Sequence, residues 1–279
     1  MYIDSHVHFW RLDRGDYDWL KPGNTLLYRD YLPEQLLPSL HRHQVEGLVI
    51  VQAAHTVEET DYMIDLAEQI PLPVRVIGGL NPLTETFREQ LERLAGHPRF
   101  AGIRVNGSLL REQEGMSGDG LKQALRLLER AGLVLELLVR PDDLAAAETY
   151  LRDVPGLTAV IDHLGVPPVR EQLMDPWAEL MENMAALPNV AVKLSGMITQ
   201  AGGYDPERLN PYVRHLTDSF GPGRLLFGSD WPVALLGGGY DDVVRLFEEL
   251  LPAEWSERDK SLVRAENARR LYGLPPAQA

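Results

Sequence analysis

The chain has 279 residues, of which 44% are hydrophobic and 24% charged, and a formal net charge of −14. That length suits one barrel domain or two ordinary ones, and the composition is that of a globular protein with a sizeable core. The acidic balance argues against nucleic acid and anionic membrane surfaces as partners, and the absence of cysteine excludes disulfides, thiolate metal sites and a cysteine nucleophile.

The start, Met1-Tyr2-Ile3-Asp4-Ser5-His6, has no basic segment running into an apolar one, so no secretory signal is expected. No apolar stretch reaches the roughly 18 residues of a membrane span, and the expected location is the cytoplasm. In chain order the strand candidates are Tyr2–Ser5, Gly47–Gln52, Val74–Leu80, Phe100–Val105, Leu133–Val139, Thr158–Asp162, Val190–Leu194 and Leu225–Gly228. Their near-continuous apolar character predicts parallel strands buried on both faces. Amphipathic stretches fall between them, among them Glu58–Ile70, Glu85–Ala95, Gly120–Ala131 and Asp142–Leu151, with Gly96 and Gly132 as stops and Asp142 as a cap.

Eight such units over about 250 residues predict one (β/α)8 TIM-type barrel domain spanning 1–279, with Ser256–Leu274 as an extra C-terminal helix. Spacing alone also fits a doubly wound sheet. The segment Arg11–Leu32 has no helical period and follows the first strand, on the face where barrel enzymes keep their sites. Gly118 and Gly120 make no phosphate-binding fingerprint, because no strand closely precedes them.

Chemistry concentrates at strand ends. His6 and His8 alternate at the end of strand one, so both point into the barrel mouth and can offer two nitrogens to one ion; the bland alternative is two polar loop residues. His163 ends strand six, where a core histidine satisfied by backbone is the alternative. Asp230 closes strand eight, able to hold a metal with His6 and His8 or to take a proton from water, unless it is a helix cap. Glu136 lies inside the apolar run of strand five and Lys193 inside that of strand seven. Alternate strands feed the same interior layers, so a buried ion pair is expected, with Glu136 as a ligand beside His6 and His8 the alternative. Arg104 and Arg140 stand near strand ends as substrate donors or surface salt bridges, and Trp10 and Trp231 as apolar walls for a ring. Trp19 fits packing as well as substrate contact.

The pieces Asp4–Trp10, Tyr17–Leu20, Gly102–Arg104, Leu137–Pro141, Asp162–Gly165, Lys193–Gly196, Gly228–Pro232 and Asn267–Leu274 together resemble the amidohydrolase superfamily. The resemblance is to its amidohydrolase-related branch, which contains sugar lactonases and a 2-pyrone-dicarboxylate lactonase. It implies a water-dependent opening of an aldonolactone such as L-fucono- or L-rhamnono-1,4-lactone, with Asp230, His163, His6 and His8 catalytic. Arg104, Arg140, Trp10 and Trp231 would then hold the small-molecule lactone.

One divalent ion on His6, His8 and Asp230, zinc first, is compatible with this pattern, as is metal-free catalysis. A homodimer is compatible too. The sequence departs from many superfamily members at the end of strand five, where Arg140 replaces a metal-binding histidine or lysine. An always-charged guanidinium cannot ligate a cation. The other readings are a 2-pyrone-dicarboxylate-type lactonase, a metal-dependent decarboxylase wanting that absent histidine, and a non-catalytic sugar-binding barrel.

Overall fold

A computed structural model describes residues 1–113 and 119–276; Gly118 lies outside them. Eight parallel strands run in sequence order: β1 Tyr2–Val7, β2 Val45–Val51, β3 Val74–Gly78, β4 Phe100–Asn106, β5 Val134–Leu138, β6 Ala159–Ile161, β7 Val190–Leu194 and β8 Leu225–Phe227. The ring is nearly closed, since Val7 bridges Trp231 and the amides of His8 and Asp230 donate to Trp231 O and His6 O at 2.8 Å each. The doubly wound alternative is thereby set aside.

Outward strand residues pack on helices whose apolar faces follow the 3.6-residue period. Helix Asp119–Ala131, for instance, buries Leu121, Ala124, Leu125 and Leu128. Gly132 ends it at φ 65°, a left-handed conformation that costs glycine no side-chain clash. The expected cap at Asp142 is corrected: helix Pro141–Arg152 starts after Arg140, whose N–H bonds Asp143 Oδ2 at 3.0 Å. Proline, with no N–H of its own, suits that first helical position.

Inward residues form two layers. The lower one is apolar, with Val49, Ile77, Val134, Val160, Ala191 and Leu226 packed on Ala265, Ala268 and Tyr272. The C-terminal tail, helix Glu257–Ser261 continued through a π-helical turn at Leu262–Glu266 into Asn267–Tyr272, therefore plugs the barrel floor. Ser256 caps it by accepting from Asp259 N–H. Among the described residues no helix is long and apolar enough to cross a membrane.

Candidate active site

Above the floor the barrel turns polar. β1 carries a register shift between Asp4 and Val7, which leaves Ile3 in the floor and directs both His6 and His8 inward. Their Nε2 atoms stand 3.1 Å apart, and Asp230 Oδ1 lies 3.8 Å from His6 Nε2, 3.4 Å from His8 Nε2 and 4.0 Å from His163 Nε2. The four expected residues thus meet around one carboxylate oxygen.

Two of them need an unusual backbone. Strand alternation would send His163 away from its neighbour Asp162, and likewise Asp230 from Ser229. Instead His163 adopts φ 52° and Asp230 φ 59°, left-handed conformations that cost a non-glycine residue about 1–3 kcal/mol and concentrate at functional sites. Gly196 makes room for the first, since a Cβ there would sit 2.8 Å from His163 Nδ1. The helix-cap alternative for Asp230 does not hold: the next turn, Val233–Leu236, is preceded by Pro232.

Lys193 is the electrostatic centre beneath. Its Nζ lies 2.6 Å from Glu136 Oε1, 3.2 Å from Asp162 Oδ1 and 3.1 Å from His6 Nδ1, all four side chains fully buried. The expected Glu136–Lys193 pair is present, and Glu136 is not beside the histidines' Nε2 atoms. Burial pushes the Glu136 carboxyl up to about 7, with Lys193 opposing. For Asp162 burial works the same way, but Lys193 and His6 outweigh it and hold the carboxyl well below its ordinary range. Burial first, then Lys193, lowers His6 well below the ordinary histidine value; burial also lowers His8. Both imidazoles are therefore neutral near pH 7, the form that ligates metal.

A cavity of about 400 Å³ opens on this cluster, lined among others by His8, Trp19, Gln52, His55, Arg104, His163, Gln200 and Asp230. Arg104 is at its wall, donating to Asp162 Oδ2 at 3.5 Å and to Gln52 O. Three expected contacts are corrected. Trp10 is fully buried, its Nε1 donating to Arg29 O and its ring packed on Tyr31, because the β1 exit turns it into the loop core. Trp231 is 5% exposed and packs on Phe9 and Tyr31. Arg140 is exposed and lines a neighbouring groove with Asn106 and Arg111 instead.

Trp19, 44% exposed, is the tryptophan at the cavity, with its indole N–H fixed on Ala53 O at 2.8 Å. Asp162, Gln52, His55 and Gln200 were not singled out from sequence. Asp162 and Gln52 had a signal, polar residues closing apolar strand runs; His55 sits in an irregular segment and Gln200 in the short helix Met197–Ala201, and neither carries one.

The amidohydrolase family model matches residues 3–274. The chain belongs to the amidohydrolase family. It is 37% identical to an L-fucono-1,5-lactonase of Burkholderia ambifaria, covering 86% of this chain and 83% of that protein. It is 32% identical to an L-fucono-1,5-lactonase of Burkholderia multivorans, covering 99% and 98%. A crystal structure of a Burkholderia multivorans amidohydrolase with bound zinc superposes with a TM-score of 0.88 at 30% identity, covering 99% of this chain and 100% of that one.

In this amidohydrolase the donor set fits a divalent ion. Ligand atoms on one tetrahedral zinc, at bonds of about 2.0–2.2 Å, stand roughly 3.3 Å apart. His6 Nε2, His8 Nε2 and Asp230 Oδ1 span 3.1, 3.4 and 3.8 Å. His8 Nδ1 bonds Val51 O at 2.7 Å, which places its hydrogen there and leaves the Nε2 lone pair facing the site. A second set, His6, Asp162 and His163, is also close. Its carboxylate already serves Lys193 and Arg104, so it suits an ion less well.

Proposed function

We propose that this chain hydrolyses a neutral sugar-acid lactone, with L-fucono-1,5-lactone first and the L-rhamnono and L-galactono analogues beside it. The observation that carries the reading is the convergence of Asp230, His8, His163 and Arg104 on one cavity. The names of the relatives favour the 1,5-ring over the 1,4-ring expected from sequence.

All three histidine contacts of Asp230 use Oδ1, which leaves Oδ2 to take the proton of an attacking water. Charge developing on the carbonyl oxygen is met by the Arg104 guanidinium and by His163, whose Nδ1 is held by Ser195 Oγ at 2.9 Å. The proton on Asp230 then passes to the ring oxygen as the ester bond breaks, giving the open hydroxy acid. Ser195 lies beneath His163 at 1% exposure, so it orients the ring and is not placed to attack. A divalent ion on His6, His8 and Asp230 would supply Lewis acidity for the same carbonyl. Trp19 offers an indole face to the sugar ring.

A dicarboxylate lactone wants several cations, and the cavity presents Arg104 alone among arginines and lysines of the described residues. Arg11, in the segment that follows β1, is exposed and paired with Asp13. The test is kcat/KM on L-fucono-1,5-lactone against 2-pyrone-4,6-dicarboxylate at one pH and salt, and a preference for the dicarboxylate overturns the assignment. Elemental analysis of the same preparation before and after chelation is expected to show one divalent ion, zinc first, whose loss lowers activity without abolishing it.

A further inference from the structure

The C-terminal end of β2 passes into a turn whose three successive carbonyls each hold a different side chain of the site. Val51 O bonds His8 Nδ1 at 2.7 Å, Gln52 O accepts from Arg104, and Ala53 O accepts from Trp19 Nε1 at 2.8 Å. From the other side the Glu59 carboxylate takes the Ala53 N–H at 3.0 Å to each oxygen and the Ala54 N–H at 2.8 Å. Glu59 is fully buried in the first turn of helix Val57–Gln69. Its own N–H donates to Thr56 Oγ1 at 3.2 Å, and that hydroxyl donates to Asp16 Oδ2 at 2.7 Å, in the segment that carries Trp19.

Among the described residues no ion pair involves Glu59, and a carboxylate buried in that state is costly to keep. Its hydrogen bonds go to the one turn that aims three site residues. We propose that Glu59 is a positioning residue for lactone hydrolysis, setting the turn at residues 51–54 and through it His8, Arg104 and Trp19. The proposal rests on the lactone reading of the cavity for its kinetic arm only. Misplacement of reacting groups by an ångström costs up to about 10² in rate, so a loosened turn is visible in turnover.

The test compares the wild type, Glu59→Gln, Trp19→Phe and the double variant. Glutamine keeps the shape but replaces one of the two accepting oxygens by an NH₂ group that faces the Ala53 N–H, so the three hydrogen bonds cannot all be kept. Expected is a loss of about tenfold or more in kcat/KM on L-fucono-1,5-lactone for Glu59→Gln, and a smaller loss in the Trp19→Phe background, where the share carried by Trp19 is already gone while that through His8 and Arg104 remains. A loss under about threefold in the wild-type background, or one that does not shrink in the Trp19→Phe background, overturns the proposal.

The second arm needs no substrate. Trp19 emission, obtained by subtracting the Trp19→Phe spectrum, is expected to show faster anisotropy decay in Glu59→Gln than in the wild type, with circular dichroism unchanged. An unchanged decay also overturns it. If Glu59→Gln does not fold, Glu59→Asp, which withdraws the carboxylate by one methylene, goes through both arms, and the same results support or overturn the proposal. A wild type inert on every aldonolactone refutes the lactone reading, and the emission arm then decides the positioning role alone.

Discussion

The floor of the barrel and the layer above it are made by the same strands, two residues apart, and could hardly differ more. Val134 lies in the floor of β5 and Glu136 in the layer above; the same step separates Val160 from Asp162 and Ala191 from Lys193. One pleat repeat, roughly 6.6 Å, divides an apolar plug from a cluster of buried charge. Burying each large apolar floor side chain stabilises the fold by about 1.5–3 kcal/mol, whereas each isolated buried ion would cost several kcal/mol. The upper layer therefore persists only because its charges answer one another, with one ammonium between two carboxylates. The comparison teaches that the floor carries stability and the layer carries function, and it can be broken from either side.

The largest effect belongs at the top of the polar layer. Asp230→Asn keeps shape and neighbours but removes the base, so kcat is expected to fall by about 10²–10⁴ while the thermal unfolding midpoint moves little. An asparagine variant with more than about a tenth of the wild-type rate would remove Asp230 from that role.

Lys193→Met asks the opposite question of the same layer. It leaves Glu136 and Asp162 buried without their shared cation, and the expected loss is about 3–5 kcal/mol of stability in urea unfolding near pH 7. A loss under about 1 kcal/mol would mean that the carboxylates are satisfied without it, and that the contrast between the two layers is overstated.

How far the sequence displayed this division depends on range. Strand positions were legible because burial on both faces writes a continuous apolar run, as in Leu133–Val139 against the observed Val134–Leu138. Glu136 and Lys193 were legible as a pair because each interrupts such a run. His6, His8, His163 and Asp230 were legible because they end strands. The tryptophans were not: Trp10 and Trp231 adjoin the histidine and aspartate motifs in the chain, yet both turn away from the cavity. Trp19 reaches it through contacts with Ala53 and through the Asp16–Thr56 bond, pairings 34 and 40 residues apart that no local pattern records.

The smallest effect tests the seam itself. Tyr272 belongs to the floor by its ring and to the charged layer by its hydroxyl, which donates to Glu136 Oε1 at 2.6 Å. Tyr272→Phe keeps the plug and removes only that donor. Burial already places Glu136 near 7 against 4.5 for a free glutamate, and the tyrosine bond pulls it down. Between those two values the native state binds more protons than the unfolded chain, so this group's contribution to stability falls as pH rises through the window. Without the hydroxyl the folded value moves higher still, and the fall continues to higher pH. Below pH 7 the variant loses a hydrogen bond to a neutral carboxyl, about 0.5–1.5 kcal/mol; above it, a bond to a charged one, about 1.5–3 kcal/mol. Urea unfolding of both proteins at about pH 6 and about pH 8.5 should thus show a deficit that widens with pH. A deficit that is constant, or that narrows, would mean Glu136 is ionised throughout, and that the floor and the charged layer are not coupled through this residue.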